Sequence, residues 1–179
     1  MDNLEIMIQV YDLTQDDWDA VRSIYIQGMA TRNATFETTP PSWEQWDVSH
    51  LPQCRIIVKD DAKIIGWAAL SPVSNRSVYN GVAEVGIYMA TSNQRQGVGK
   101  ILLTALIELS ESEGIWTLES TMFPENEASI RLHRSCGFRK VGYRERIGRL
   151  DDIWRDTILM ERRNKFIGNT NLDSDDQMK

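Results

Sequence analysis

Cysteine, long apolar runs and targeting segments are scarce in this chain. Its two cysteines, Cys54 and Cys136, are far apart and form no CxxC or Cys/His cluster, which argues against a disulfide framework or a zinc site. The longest nearly apolar run, Ile64 to Leu70, is far shorter than the roughly 20 residues of a membrane span. The start MDNLEIMIQ lacks the basic-then-apolar layout of a signal peptide. We therefore expect reduced thiols, no metal, no membrane association and a cytoplasmic location.

Basic residues are outnumbered by acidic ones. The net charge of -6 and the pI of about 5.0 argue against the broad basic surface through which nucleic-acid-binding proteins gain affinity, although a local basic patch stays compatible with them. The hydrophobic fraction of 41% and charged fraction of 26% are typical of soluble globular proteins. A length of 179 residues suits one domain with a real core.

Hydrophobic periodicity predicts the order strand, two helices, three strands, helix, strand, helix and two strands. This order indicates a single α/β (α+β) domain with a mixed sheet, and it has too few alternating βα units for a doubly wound dinucleotide fold. We expect residues 1–163 to form the domain. Residues 164–179, which have few apolar side chains and include DSDD, are predicted to be disordered.

A glycine-bearing turn separates the strand EVGIYMA from a predicted helix over residues 97–113. A helix start leaves backbone N–H groups unpaired and presents the positive end of the helix dipole, which makes it an anion site. Gly97 and Gly99 leave room for a phosphate to approach, and Arg95 and Lys100 add positive charge. The turn matches neither GxGxxG nor GxxxxGK[ST], and a tight turn without any ligand would show the same pattern.

The spacing of Gln94, Gly97 and Gly99 resembles the signature of the GCN5-related N-acetyltransferases, in which this turn wraps the pyrophosphate of acetyl-CoA. NEASIRLHRSCGF resembles that family's later helix and places Asn126 near the pantetheine arm. The stretches NATFETTPPS, GWAALSP, AEVGIYM and WRDTILMER narrow the resemblance to the phosphinothricin and methionine sulfone or sulfoximine acetyltransferases. The resemblance implies one domain with a mixed, mostly antiparallel, twisted sheet of about seven strands flanked by about four helices.

The resemblance also implies an acetyl-CoA site and no metal. Gly86 to Tyr88 would form a splayed strand edge whose backbone N–H meets the thioester carbonyl, and glycine within a strand often marks a bulge or a close approach. The residues expected at the cosubstrate are Gly86, Ile87, Tyr88, Gln94, Arg95, Gln96, Gly97, Val98, Gly99, Lys100 and Asn126.

Acetyl transfer to an amine requires one group to remove a proton and another to return one to the departing thiolate. Glu84 stands among apolar neighbours on a predicted central strand, where desolvation would raise its pKa, although a structural ion pair or an edge-strand carboxylate would fit too. The resemblance implies that it is the general base. His133 lies seven residues after Asn126 on the same helix face, so both can line one channel. We expect His133 to be the general acid, with a shared base role or a solvated histidine as alternatives.

The acceptor is expected opposite the cosubstrate. Phe36 and Glu37 could enclose an amino-acid side chain and its ammonium, although Phe36 could equally anchor its loop in the core. Arg76 and Tyr79 are candidates for holding a carboxylate or an oxidised head group, since arginine binds such groups bidentately. Ser74 stands where the resembled enzymes often carry arginine, which puts an amino-acid acceptor in doubt. His50 is interpreted as a surface or loop residue.

The resulting expectation is acetyl-CoA-dependent acetylation of a primary amine on a small amino-acid-like molecule, by direct attack in a ternary complex. No cysteine is suitably placed for a covalent acyl intermediate. Two alternatives stay open: an acetyltransferase acting on the N-terminus of a protein or peptide, and a non-catalytic acyl-CoA sensor. The resemblance implies a homodimer, for which the six tryptophans could supply an interface or equally fill the core.

Overall fold

A single mixed sheet organises the chain. The computed structural model describes residues 8–93 and 97–168. The helices and strands are, in chain order, β1 (Ile8–Asp12), α1 (Trp18–Ala30), α2 (Trp43–Ser49), β2 (Arg55–Asp60), β3 (Lys63–Pro72), β4 (Val82–Met89), α3 (Val98–Ser112), β5 (Thr117–Met122), α4 (Glu127–Ser135), β6 (Arg139–Leu150) and β7 (Ile153–Arg163).

The seven strands lie in the order β1-β2-β3-β4-β5-β7-β6. Among the described residues every neighbouring pair is antiparallel except β4 and β5, which run parallel. The prediction of one α/β domain with a mixed, mostly antiparallel sheet and about four helices is confirmed. No helix of the described part is long and apolar enough to cross a membrane.

The sheet buries both faces of its central strands because their side chains alternate between two apolar clusters. On one face Leu70 and Val85 pack with Leu102 and Leu106 of α3. On the other face Trp67 packs with Val21 of α1 and with Trp46 of α2. The predicted apolar stripe of α3 is confirmed, since Val98, Leu102 and Leu106 are buried and Ala105 and Leu109 pack partly against the same core.

Most of the described tryptophans serve the core. Trp18, Trp43, Trp46 and Trp67 pack together, with ring centroids 5.5–5.7 Å apart in the successive pairs. His50 ends α2, and its ring stacks on Trp46 at 4.1 Å. His50 thus lies in the connection after α2, as a loop residue would, while its ring is half-buried, and burial lowers the pKa of His50.

The beginning of the predicted tail packs against the domain. The Asn164 N–H donates to the Trp116 carbonyl at 2.7 Å, and a Cβ built on Gly168 would overlap the Trp116 ring. The Asn164 Oδ1 accepts hydrogen bonds from the N–H groups of Phe166 and Ile167. Residues 164–168, part of the segment predicted to be disordered, therefore contact the domain, and residues 169–179 lie outside the described part.

The parallel pair β4–β5 is short. Val82, Ala83 and Glu84 pair with Thr117, Leu118 and Glu119, and the pairing stops there. Beyond this point β4 continues along β3 to Met89, while β5 continues along β7 to Met122. The two strands diverge and leave a wedge between them, which we call the β4–β5 wedge.

Gly86 lies at this wedge and pairs regularly with Ala69 of β3. The register shift nearest in the sheet lies between Val58 and Lys59, in the β2–β3 pair. The distortion expected at Gly86 therefore takes the form of divergence from β5, and there is no bulge against β3 at this residue.

Gly81 joins the two parallel strands at their common start, and we predict that a methyl group there destabilises the fold. Its carbonyl accepts the N–H groups of Trp116 and Thr117 at 3.0 and 3.1 Å. A Cβ at this position would overlap the Trp116 ring, so Gly81→Ala should lower the free energy of unfolding by about 1–3 kcal/mol. Urea denaturation measures the change.

Gly142→Ala is the matched control, because a Cβ built on this strand glycine meets nothing within 4 Å. The two variants should therefore differ clearly in their urea midpoints. Equal midpoints would show that Trp116 moves aside without cost and that the contact with Gly81 does not matter to stability.

Candidate active site

The β4–β5 wedge opens into a cavity of about 550 Å³. Its walls come from β4, the end of β5, the first turns of α4, the loop after α1, and single residues of α1, β3, β6 and β7. The lining residues are Tyr25, Ala34, Thr35, Phe36, Glu37, Ser71, Glu84, Val85, Gly86, Ile87, Tyr88, Ser120, Thr121, Met122, Phe123, Asn126, Ser129, His133, Arg144 and Thr157.

Many of the residues singled out in the sequence meet in this cavity although they are far apart along the chain. These are Phe36, Glu37, Glu84, Gly86, Ile87, Tyr88, Asn126 and His133. Ser74, Arg76 and Tyr79 are absent from its wall. Arg76 lies over the ring of Tyr79 at 5.8 Å, in the connection between β3 and β4.

The glycine turn adjoins a second, shallower cavity of about 460 Å³ along the outer face of α3, with Gly97 and Lys100 in its wall. Gly97 is the N-cap of α3 and has a positive φ of 80°, a conformation that glycine adopts at low cost. The N–H of Lys100 donates to the Gly97 carbonyl at 3.0 Å. Gln94, Arg95 and Gln96 were also predicted here, and they lie outside the described residues.

Gly99 and Val98 have packing roles in the same turn. A Cβ on Gly99 would stand 3.4 Å from Leu132 of α4 and 3.9 Å from Met89 at the end of β4. The Val98 side chain is buried in the core. The sequence suggested that both glycines make room for a phosphate. At these distances a methyl group on Gly99 would make ordinary van der Waals contacts, whereas a Cβ built on Gly97 meets nothing within 4 Å.

His133 is almost completely buried, with 1% of its surface exposed. Its Nδ1 lies 2.9 Å from the Ser129 carbonyl, which can only accept, so Nδ1 carries the proton. Its Nε2 is buried and has no hydrogen-bond partner among the described residues. Burial lowers the pKa of His133, against the opposing effect of the Ser129 hydrogen bond. The resting imidazole is therefore neutral with a free lone pair on Nε2, which excludes a solvated histidine.

Glu84 is half-buried on β4 and belongs to the cavity wall. It pairs in register with Ser71 of β3 and Glu119 of β5, so the three side chains share one sheet face. Within residues 8–93 and 97–168, no cation lies within ion-pair distance of its carboxylate. The alternative of a structural ion pair therefore finds no partner in the described part of the chain.

Tyr88 forms part of the cavity floor. Its ring stacks on Trp67 at 4.7 Å and meets Tyr25 edge-on at 4.8 Å. Its hydroxyl donates to the Ala34 carbonyl at 3.5 Å. Burial raises the pKa of Tyr88, so the phenol stays protonated and serves to support the loop above it.

Residues 31–37, which we call the α1–α2 loop, are held over the wedge by side chains from the other half of the sheet. The Asn126 Oδ1 accepts the Ser129 N–H at 3.2 Å and caps α4, while its Nδ2 donates to the Asn33 carbonyl at 3.0 Å. Arg155 donates to the Arg32 carbonyl and to the Asn33 Oδ1, both at 3.0 Å. Asn126 thus faces the cavity, but its amide is engaged in positioning the loop.

Phe36 closes the same loop against the sheet. Its ring meets Phe123 edge-on at 4.7 Å, and a Cβ built on Gly148 of β6 would overlap it. The Arg155 guanidinium lies over the Phe123 ring, 4.2 Å from its centroid. Phe36 therefore anchors the loop and also lines the cavity.

This architecture agrees with a known family. The model of the Acetyltransferase (GNAT) family matches residues 8–138. The chain belongs to the GNAT family of acetyltransferases. It is therefore an enzyme of the N-acetyltransferase class, and the resemblance read from Gln94, Gly97 and Gly99 is confirmed at the level of the family.

Individual relatives narrow the branch. The chain is 32% identical over 158 residues to a phosphinothricin N-acetyltransferase of Alcaligenes faecalis, which covers 82% of this chain and 78% of that protein. It is 26% identical over 151 residues to an L-methionine sulfoximine/L-methionine sulfone acetyltransferase of Pseudomonas aeruginosa, which covers 81% of this chain and 88% of the relative. The predicted branch is thereby confirmed.

A solved GNAT superfamily phosphinothricin acetyltransferase from Sinorhizobium meliloti, in complex with AcCoA, shares the fold. Its TM-score is 0.78 at 23% identity, with coverage of 92% of this chain and 97% of that one.

Two arginines of the site were missed in the sequence. Arg144 lines the cavity, and its Nη2 donates to the Thr121 Oγ1 at 3.2 Å. Arg155 secures the α1–α2 loop. Both lie on the closing hairpin β6–β7, where the alternation of the strands could have grouped them on one face. Their distance from Glu84, however, depends on β7 entering the sheet between β5 and β6, which no local pattern indicates.

We predict that Arg155→Met frees the α1–α2 loop. The variant loses hydrogen bonds to Arg32 and Asn33 and an ion pair with Glu125. Each hydrogen bond made by a charged group contributes about 1.5–3 kcal/mol to stability. Hydrogen exchange should therefore accelerate in residues 31–37.

Arg149→Met is the control, because Arg149 pairs at the surface with Asp152, whose side chain is 90% exposed. It should leave loop exchange unchanged. Unchanged exchange in Arg155→Met as well would contradict the positioning role of Arg155.

Proposed function

We propose that the protein transfers the acetyl group of acetyl-CoA to the primary amine of a small amino-acid-like acceptor, by direct attack in a ternary complex. The main support is the meeting of Glu84 and His133 in one cavity at the divergence of β4 and β5. Two buried polar atoms of its wall, His133 Nε2 and Thr157 Oγ1, have no partner among the described residues. Buried polar atoms without partners are rare unless a ligand or water completes them.

Acetyl-CoA is proposed to lie with its pyrophosphate at the start of α3 and its thioester in the wedge. A Cβ built on Gly99 would lie 3.4 Å from Leu132 and 3.9 Å from Met89, so the first turn of α3 lies beside α4 and the end of β4, which supports this path. The backbone of Gly86 to Tyr88 has no β5 neighbour and can donate an N–H to the thioester carbonyl. Gln94, Arg95 and Gln96 remain proposed contacts of the pyrophosphate, as does Lys100.

Glu84 is proposed to remove a proton from the acceptor ammonium, directly or through water, which frees the nitrogen lone pair for attack. The new N–C bond then forms as the C–S bond breaks. His133 Nε2 accepts the second proton of the attacking nitrogen and returns it to the sulfur of the departing CoA. His133 therefore does not start as a general acid, as the sequence suggested. Its Nδ1 keeps its proton in the hydrogen bond to the Ser129 carbonyl, and its Nε2 begins without a proton.

The acceptor carboxylate is proposed to bind Arg144 rather than Arg76. Arg144 lines the cavity beside Thr121, whereas Arg76 does not reach its wall. Phe36 and Glu37 of the α1–α2 loop cover the opposite side, which suits a small acceptor with an ammonium group. The relatives named for phosphinothricin and for methionine sulfoximine or sulfone acylate molecules of this size and charge.

The experiment that tests the proposal measures CoA release with a thiol reagent across phosphinothricin, methionine sulfone, methionine sulfoximine, the common amino acids, polyamines and short peptides. Turnover with one of the amino-acid-like compounds supports the proposal. Turnover restricted to peptides or polyamines would contradict the proposed acceptor. Binding of acetyl-CoA with no turnover of any amine would favour an acyl-CoA sensor.

A cytoplasmic homodimer is part of the proposal. The hairpin β6–β7 exposes apolar side chains that a second copy could cover, namely Val141, Tyr143, Ile147, Ile153 and Trp154. Sedimentation equilibrium would report twice the mass of the chain, and a monomer at micromolar concentration would contradict the dimer.

We predict that Glu84→Gln lowers kcat by about 10²–10⁴-fold, the usual contribution of a general base. Glutamine keeps the size of the side chain but cannot take the proton. The affinity for acetyl-CoA, measured by calorimetry, should stay the same because Glu84 lies away from the α3 turn. Undiminished kcat would remove Glu84 as the base.

We predict that Arg144→Met raises the KM of an amino-acid acceptor by about 10–100-fold, the loss of a charged hydrogen bond of roughly 1.5–3 kcal/mol. Arg76→Met is the matched control and should leave KM near that of the unaltered protein. A larger increase in KM for Arg76→Met than for Arg144→Met would show that Arg76 and Tyr79 bind the acceptor carboxylate.

A further inference from the structure

Glu84 is one member of a row of charged side chains that crosses the sheet. It pairs in register with Glu119 of β5, Glu119 pairs with Glu161 of β7, and Glu161 pairs with Arg139 of β6. Side chains of register partners point to the same face and have Cβ atoms about 4.5–5.5 Å apart. Three carboxylates therefore stand side by side, starting at the proposed catalytic base.

The positive charges around this row are unevenly distributed. Arg139 pairs with Glu161 at 2.9 Å, so the outer carboxylate is neutralised. Arg144 faces the row from β6, but its hydrogen bond goes to Thr121. Within the described part of the chain, no basic side chain makes an ion pair with Glu84 or Glu119. The two inner carboxylates thus share a half-buried position without a cation of their own.

This environment makes the Glu119 carboxylate a stronger proton acceptor than a carboxylate in water. Burial raises the pKa of Glu119, and the negative charges of Glu161 and Glu84 raise it further, while Arg144 opposes them.

The row also leads outward. The Glu161 side chain is 21% exposed and that of Arg139 is 70% exposed, whereas Glu84 borders the closed end of the wedge. A proton taken up at Glu84 must leave before the next turnover, and Glu119 is its register neighbour, between Glu84 and the partly exposed Glu161. Glu119 itself is not part of the cavity wall, so it would act through Glu84 and not on the acceptor.

We propose that Glu119 is a positioning residue for proton removal, which receives from Glu84 the proton taken from the acceptor ammonium and releases it to solvent. In this step the O–H bond at Glu84 breaks, an O–H bond at Glu119 forms, and the Glu84 carboxylate is regenerated. Water then takes the proton from Glu119. The inference rests on the proposed acetyl transfer with Glu84 as base.

The test compares Glu119→Gln, Glu119→Asp and the surface control Glu145→Gln with the unaltered protein. The kcat is measured from pH 5.5 to 9 at saturating acetyl-CoA, with the best acceptor of the amine panel, in the absence and presence of added imidazole buffer. Glu119→Gln should lower kcat by about tenfold near pH 7, which is less than the loss expected when the base itself is removed. It should also move the acid limb of the kcat–pH profile to lower pH, because the negative charge beside Glu84 is lost.

Imidazole should restore much of the lost kcat in Glu119→Gln, since a small base in solution can take over the proton transfer. Glu119→Asp should keep most of the activity, and Glu145→Gln should match the unaltered protein. A structural role would instead lower activity in both Glu119 variants, without rescue and with an unmoved profile, and this result would overturn the inference.

Failure of the proposed role of Glu119 can be distinguished from failure of the proposed acetyl transfer. If the unaltered protein acetylates an amine and Glu119→Gln shows the same kcat, pH profile and buffer response, Glu119 has no part in proton removal and the acetyltransferase proposal stands. If the unaltered protein turns over no amine, the proposed function fails and this inference fails with it.

Discussion

The short parallel pairing of β4 with β5 is the constraint on which the site depends. Pairing ends at Glu84 and Glu119, while each strand continues along its antiparallel neighbour, so the sheet is held open without losing its continuity. Backbone groups that lack a strand partner are costly when buried and are satisfied readily by a ligand. A thioester that lies in the wedge would serve as the missing strand partner. The same hydrogen bonds would then both bind the ligand and orient its reacting carbonyl.

The rest of the molecule holds the walls of this opening in place. Arg155 and Asn126 draw the α1–α2 loop across the wedge from the other half of the sheet. Tyr88 supports the same loop from below, on the aromatic cluster that α1 and α2 bury. The cavity is therefore built from parts that fold together.

Local sequence patterns were sufficient for the element order, and several of the residues singled out from them line one cavity. Strand alternation placed Glu84 on the face where it lies, and helical spacing placed Asn126 and His133 in one cavity. The assignments that did not reach the cavity came from chain proximity: Arg76 and Tyr79 precede β4 closely, but their segment turns away from the wedge.

The roles of Arg144, Arg155 and Glu119 could not be predicted from the sequence, since each depends on which strands become neighbours. The tautomer of His133 depends on the orientation of its ring, which places Nδ1 2.9 Å from the Ser129 carbonyl within α4. The order of strands is a property of the tertiary structure and the ring orientation one of side-chain packing, and the spacing of residues along one element contains neither.

A crystal structure of the complex with acetyl-CoA tests the central claim most directly. The account predicts that the thioester lies in the β4–β5 wedge, with its carbonyl oxygen within hydrogen-bond distance of a backbone N–H of Gly86 to Tyr88 and its sulfur beside His133 Nε2. An acetyl group found along the outer face of α3, with the wedge empty and Glu84 remote from the thioester, would contradict it.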